Sequence, residues 1–439
     1  MNNKYSFLFV NIGGDLESIA QRVKEEGYPI FFCKTKGQSK GKEDTGIGIF
    51  TKEEMVDDYS EVLWNFKDKK KELIIVVDDN GQGYTFDLLR FEDWTIIGGT
   101  IFGDIIENER SKGSELMKKM GLELPEICVF NKLEDGIKFV ERQKDDIRLV
   151  FKPEGNEFAG SSKTYTSKNR QDLLDYMKWL QADMPIHHYQ IEKFQLQEFI
   201  EGLEADFEAM FSPNGFLPGS TAVDIEEKKS GDGNKGEAIG CAGNIEFWVN
   251  KSKFFDEYIA KLTPLLKAKH YVGPISFNCI FPKDGKPRAL EITSRFGWDA
   301  TLTQMELLQA SGKKISDWLL AIAFGTKFDF PHNLVGCGVR VYTGSISLKK
   351  DDVSGRYFSF DKSIENHLWF YSVSKKGGAY VIEDNPVLVV NAVAPTLNQS
   401  IKDCYDTLKK VFIPDIYYRT EIGKRAEEVM KGLISFGWL

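Results

Sequence analysis

The first hundred residues limit the fold more than any other part of the chain. "SFLFVNIGG" is an apolar run that stops at a Gly-Gly pair, and "DLESIAQRVKEEG" follows with apolar residues at helical spacing. "IFFCKT", "ELIIVVDD" and "WTIIGG" are further short buried-strand runs. Strand, glycine turn and helix in alternation predict a doubly wound α/β unit with a parallel sheet over about residues 1–104. The Gly13–Gly14 turn can seat a phosphate at the next helix N-terminus, or it is a plain tight turn.

A chain of 439 residues exceeds one ordinary core, so two to four packed units are expected. From about 125 to 185 the pattern is a small α+β unit: a strand, a helix, the strand "IRLVFKPEG", the loop "NEFAGSSKTY" and the helix "RQDLLDYMKWLQ". A larger unit follows with strands "FQLQEFI", "EADFEAMFS", "PISFNCIF" and "RALEITSRFG", and a helix over "SKFFDEYIAKLTPLLKAKHY". The stretch "EEKKSGDGNKGEA", glycine-rich and charged, reads as a mobile loop. "GCGVRVYT", "PVLVVNAVA" and a helical end predict a last small α+β unit.

The net charge of −9 argues against nucleic acid or an anionic membrane held by bulk charge, and leaves room for a local basic phosphate pocket. No apolar run approaches the roughly 20 residues of a spanning helix. The six cysteines are scattered without CxxC spacing, which reads as free thiols in a reducing cytoplasm. His187–His188 reads as a loop pair.

The chemistry concentrates in "RALEITSRFGWDATLTQ". Strand alternation puts Glu291, Thr293 and Arg295 on one face and Leu290, Ile292 and Ser294 on the other. A carboxylate among oxygen ligands can hold Mg2+ against phosphate oxygens, and a guanidinium can stabilise a phosphorylated or tetrahedral intermediate. Asn278 stands 291 − 278 = 13 residues earlier, enough for a hairpin through "PKDGK" that brings its amide oxygen to the same metal. A structural Glu–Arg ion pair is the equal alternative. Lys152 ends the strand "LVFK", and with the loop "AGSSK" it can clamp a polyphosphate. "LQEFIEGLEADF" can offer a backbone edge to adenine and a glutamate to ribose, or it is an ordinary strand–turn–strand.

In order, "RSKGSELMKKMGLELPE", "VFKPEGNEFAGSSK", "LQEFIEGLEADF", "EEKKSGDGNKGEAIGCAG", "RALEITSRFG" and "IYYRTEIGKRA" resemble the ATP-grasp enzymes, in particular the glycinamide ribonucleotide synthetase (phosphoribosylamine–glycine ligase) type. The resemblance spans about residues 95–430. It implies a multidomain α/β and α+β fold: an N-terminal pre-ATP-grasp domain (1–104), a large ATP-grasp subdomain (105–120 and 188–329), a lid (121–187) and a small C-terminal α+β domain (330–439). It implies ATP and Mg2+, and an ATP-dependent ligation of a small carboxylate, such as an amino acid, to an amine. The reference substrates are glycine and 5-phosphoribosylamine of purine biosynthesis, in a cytoplasmic monomer or small homo-oligomer. By position, Lys112 and Lys152 contact phosphates, Ser161 and Ser162 sit on the lid loop, and Gln197 stands near the adenine amino group. Phe199 and Ile200 supply backbone contacts to adenine and Glu204 holds the ribose. Glu291 is the main Mg2+ ligand, with Asn278 and Thr293 beside it, and Arg295 faces the acyl phosphate.

The departures gather at the substrate end. The family's Asn two residues after the metal glutamate is Thr293. Its Gly-Gly-Arg-Glu-His loop is Gly13-Gly14-Asp15-Leu16-Glu17, where Asp15 would repel a phosphate. Its Ala-Gly-Lys-Gly is "AGSSK", its Asn-Thr-Gly-Gly-Met-Gly is "EAIGCAG", and its Asp-Pro-Glu is "WDA", where Trp298 either shapes a substrate pocket or simply packs. Two alternatives follow: the same chemistry on another amino acid or amine, or a catalytically silent nucleotide-binding protein.

Overall fold

The computed structural model describes residues 4–34, 44–154, 164–187, 191–344 and 353–439. The N-terminal unit contains β1 (Ser6–Asn11), α1 (Glu17–Glu25), β2 (Ile30–Lys34), β3 (Met55–Val56), α2 (Ser60–Asn65), β4 (Leu73–Val77), α3 (Gly83–Phe91) and β5 (Thr95–Ile97). The strands run in the order β3-β2-β1-β4-β5, all parallel, as the alternation predicts. β1 and β4 are buried along their full length because helices cover both faces of the sheet.

Two helices, α4 (Ile101–Asn108) and α5 (Arg110–Lys119), lead out of this unit. Thr100 caps the first through the N–H of Gly103. A second body follows: β6 (Ile127–Phe130), α6 (Leu133–Glu141), β7 (Leu149–Pro153), β8 (Tyr165–Thr166), α7 (Arg170–His187) and β9 (Phe194–Glu198). Its sheet order is β6-β9-β7-β8. This corrects the assignment of "FQLQEFI" to the larger unit. Phe194 and Leu196 are buried in the core of this body, with Phe151, Leu173 and Met177, so β9 belongs to it. Ser161, Ser162 and the loop "AGSSK" lie outside the described residues, as does His188.

The rest is built on one large sheet. Its strands are β10 (Leu203–Ser212), β11 (Gly215–Phe216), β12 (Ala222–Glu226), then the hairpin β13 (Lys229–Gly231) and β14 (Lys235–Ala238) as a separate sheet, β15 (Gly243–Trp248), β16 (Gly273–Phe281) and β17 (Arg288–Thr293). The helix expected over "SKFFDEYIAKLTPLLKAKHY" breaks into α8 (Lys253–Glu257), a 3-10 turn and α9 (Thr263–Ala268). Next come α10 (Trp298–Ala310), α11 (Ile315–Phe324), β18 (Val335–Thr343), β19 (Arg356–Phe360), β20 (Leu368–Phe370), β21 (Val373–Lys376), β22 (Ala379–Ile382) and β23 (Leu388–Ala394). The chain closes with α12 (Leu397–Leu408), β24 (Val411–Phe412), β25 (Ile416–Tyr417) and α13 (Ala426–Ser435).

Among the described residues the large sheet has ten strands, with the path β17-β16-β10-β12-β15-β18-β23-β20. The region after 330 therefore divides: β18, β20 and β23 extend the central sheet, while β21-β22-β19-β24 form a sheet of their own. One face of the central sheet carries the core residues Ala205, Phe207, Val223, Ile225, Ile245, Phe277 and Cys279. The other face is the floor of the site from β17 to β15. Beyond that, α10 covers it through the contacts of Thr303 with Asn244 and Asn391.

The stretch expected to be a mobile loop is the β13–β14 hairpin. It is tied to the C-terminal segment through Arg419 to the Lys229 carbonyl, Tyr417 to the Ser230 carbonyl, and Thr420 to Asp232.

Candidate active site

A cleft of about 1270 Å3 lies between the lid, the N-terminal unit and the floor of the large sheet. Lys152, Gln197, Phe199, Ile200, Glu204, Asn278, Glu291, Thr293 and Arg295 all line it. Asn278 and Glu291 are direct cross-strand partners, as the hairpin spacing predicts. A bulge at the next pair leaves Leu290 unpaired, so Leu290 also lines the cleft instead of facing away from Glu291.

Lys112 departs from its expected place. It is exposed on α5 and absent from the cleft lining, whereas Arg110 lines the cleft. Two residues on a helix are about 200° apart, so only one of the pair can face the site. The Arg110 guanidinium stands 3.7 Å from Glu291 and donates to the carbonyl of Pro153, next to Lys152.

Lys228 is the cation that reading by motif passed over. Its ammonium lies 3.0 Å from Glu204, 3.4 Å from Glu291 and 3.7 Å from Glu226. This ammonium, chiefly, holds the Glu291 carboxyl down at about 2. Burial pushes Glu204 up, but Lys228 outweighs it and the net shift is downward. Burial lowers Lys152 to about 8, partly opposed by Glu291. Three cations therefore surround one firmly ionised glutamate in the cleft, Lys152, Lys228 and Arg110, and Arg295 also lines the cleft.

The donor set at this point suits a hard cation. Glu291 is anionic, and the Asn278 Oδ1 is buried without a hydrogen-bond partner. Thr293 adds a hydroxyl two residues along the same strand. Oxygen ligands of this kind match Mg2+ shared with substrate phosphates. Among the described residues no three His, Cys, Asp or Glu side chains converge as an all-protein cage.

Arg295 reaches the other way. Its Nε is 3.0 Å from Glu107 and 3.3 Å from Asp79, and its guanidinium is 5.2 Å from the Trp298 ring. Asp299 does not serve the cleft. It is fully buried, takes a multiple ion pair from Arg340 of β18 and accepts from the Tyr371 hydroxyl.

The Gly13–Gly14 turn is not a vacant anion seat. The Asp78 carboxylate accepts from the N–H groups of Ile12, Gly13, Gly14 and Asp15 at 2.7–3.2 Å. Gly14 has φ +109°, the conformation that turns these N–H groups inward. A Cβ on Gly13 would stand 3.0 Å from Asp79 and 3.5 Å from Asp15. Burial, with Asp78 and Asp79 nearby, raises Asp15 to about 8. The protein's own carboxylate fills the nest, and two more acids surround it.

At the adenine end, Gln197 is buried on β9, and Phe199 stacks beneath the Arg148 guanidinium at 3.6 Å. The Phe199 N–H donates to the Arg148 carbonyl, so it is already used within the protein.

The fold is the ATP-grasp fold. Within that class, the chain is 24% identical over 345 residues to the phosphoribosylamine–glycine ligase of Clostridium acetobutylicum, covering 75% of this chain and 78% of the relative. It is 22% identical over 352 residues to the enzyme of the same name from Fusobacterium nucleatum, covering 77% and 80%. The crystal structure of phosphoribosylamine–glycine ligase from Thermotoga maritima superposes with a TM-score of 0.71 at 17% identity, over 95% of this chain and all of that one. A biotin carboxylase–β,γ-ATP complex from Campylobacter jejuni superposes at 0.64 and 12% identity, over 94% and 92%. No family model matches the chain.

Proposed function

We propose that the protein is an ATP-dependent carboxylate–amine ligase whose amine substrate is not phosphoribosylamine. The convergence of Lys152, Lys228 and Arg110 on Glu291, with Arg295 lining the same cleft, carries the reading. Such a set neutralises a triphosphate and the anion it transfers.

In this reading the substrate carboxylate attacks the γ-phosphorus of ATP, and ADP leaves. A neutral amine nitrogen then attacks the acyl phosphate carbon and loses a proton, and inorganic phosphate departs with its bonding pair. Lys152 and Arg110 hold the phosphates from the lid side and from α5. Gln197, with the backbone near Ile200, faces the base, and Glu204 faces the ribose. Arg295 orients the acyl phosphate. Glu291, Asn278 and Thr293 would hold Mg2+, which neutralises phosphate charge when bound. The lid body above the cleft excludes water from an easily hydrolysed intermediate.

The filled nest at Gly13–Gly14 supports the narrower part. A phosphorylated amine would have to displace Asp78 and sit beside Asp15 and Asp79.

The test is ADP release from Mg-ATP over a panel of amino acids, with and without phosphoribosylamine, in the wild type and in Glu291→Ala. Turnover should drop by at least about a hundredfold in the variant while nucleotide binding changes far less. Unchanged turnover would remove Glu291 from the metal site. Stimulation by phosphoribosylamine with glycine would overturn the narrower reading. A panel without any ADP release would favour a protein that binds nucleotide without turning it over.

A further inference from the structure

The floor of the cleft carries a straight row of acids that the nucleotide does not explain. Glu291 pairs across with Asn278, Asn278 with Asp206, Asp206 with Asp224, and Asp224 with Glu246. Five neighbouring strands thus each present one acid or amide on the same line, about 19 Å from end to end. Directly opposed like charges destabilise a sheet. Glu208 adds a further acid on the same face of β10. Lys228 forms its ion pairs with Glu204, Glu226 and Glu291, and its charge only partly offsets the burial of Asp206.

The inner end of the row, from Asp206 to Glu246, is polar and incompletely used. Gln304 of α10 donates to Glu208 at 2.7 Å and to Glu246 at 2.9 Å. Asn244 donates to Asp224 at 2.9 Å. The Gln304 Oε1 and the Glu246 Oε2 are buried without hydrogen-bond partners, in residues whose exposure is 0%. Both side chains line the cleft, with Asp206, Asp224 and Trp298. Burial, with Glu226, Glu208 and one another's charges beside them, holds Asp206, Asp224 and Glu246 well above the usual carboxylate range. The Asp224 and Glu246 carboxyls hydrogen-bond to each other in this crowded state, and a cation placed there would meet the unpaired Gln304 Oε1 and let both carboxyls ionise. Carboxylates spread along a line, with no three converging, suit an ammonium with several hydrogen bonds better than a compact metal ion.

We infer that the amine substrate carries a second, permanently protonated ammonium, as a diamine or a basic amino acid does, and that Asp206, Asp224, Glu246 and the Gln304 carbonyl seat it. This rests on the ligase reading for the word substrate, and on the sheet row alone for the site. Trp298 also lines the cleft, but its ring already carries the Arg295 and Arg340 guanidiniums at 5.2 and 5.4 Å, so it is not counted in the seat. The filled anion nest at Gly13–Gly14 agrees with it, since Asp78 already occupies the place a phosphorylated amine would need.

The test uses the full chain without nucleotide. Linear α,ω-diamines of roughly three to six methylenes, the span between neighbouring strands, are compared with monoamines of equal length by thermal shift and calorimetry. At least one diamine should bind about tenfold more tightly than its monoamine. Glu246→Gln, and the double variant Asp224→Asn/Glu246→Gln, should reduce that preference to within about twofold. Both changes keep side-chain shape and remove repulsion, so the folded state is retained. Equal binding of diamines and monoamines, or a preference untouched by the amide variants, overturns the inference. Stabilisation by Mg2+ or Mn2+ that is lost in Glu246→Gln but kept in Glu291→Gln overturns it in favour of a metal. Failure of the ligase reading looks different: diamines would bind while no acid–amine pair releases ADP. ADP release stimulated equally by monoamines would leave the ligase and remove the second ammonium.

Discussion

Lys152 shows how one buried side chain ties function to pH. Its ammonium is held at about 8 by burial, against the partial support of Glu291. Below that value it is charged and can pair with phosphate; above it the charge is lost. kcat/KM for ATP reports the free protein and should fall as pH rises through about 8. Lys152→Arg keeps its charge at all accessible pH, so its profile should stay flat through that range. A wild-type profile level to pH 9.5 would remove Lys152 from the phosphate site. The lysine itself was legible at the end of "LVFK". Which of Arg110 and Lys112 lines the cleft was not legible, because α4 and α5 meet at Glu109 and that junction resets the helical phase that decides which side chain turns inward.

At the scale of elements, the β1–α1 loop is held by Asp78 and crowded by acids. Folding raises Asp15 from an ordinary aspartate to about 8. Between those two values the folded chain binds a proton that the unfolded chain does not. Stability from this group is therefore fully present below about pH 4 and is lost as pH rises through 8. Asp15→Asn should raise Tm more at pH 8 than at pH 5, in melts at matched ionic strength. A shift of equal size at both values would mean that Asp15 ionises normally. Spacing made the Glu291–Asn278 hairpin legible in advance. The acidic row was written just as openly: Glu204, Asp206 and Glu208 alternate with Ala205, Phe207 and Ala209, and Asp224 alternates with Val223 and Ile225. Attention to Glu204 alone hid it. No pattern within β9 could say which sheet it would join, because alternation fixes a face and never a neighbour.

For the whole molecule, the lid has a core of its own around Phe151, Leu173, Met177 and Phe194, separate from that of the large sheet. Phe194→Ala should cost about 3–5 kcal/mol, the range for a large buried aromatic. The loss should be local: hydrogen exchange should quicken in β6–β9, α6 and α7 and stay unchanged in β1, β4 and β16. Uniform quickening would mean that lid and floor unfold as one unit. The motif order along the chain made the ATP-grasp architecture legible. The extension of the central sheet by β18, β20 and β23 was not, because their apolar runs suit any buried strand.

That shared sheet has a mechanical consequence. Its ladder of backbone hydrogen bonds runs without a break from β17 to β20, so floor and C-terminal strands form a single plate that cannot hinge along its width. Exchanging the C-terminal segment for that of a relative would split the plate rather than swap a module.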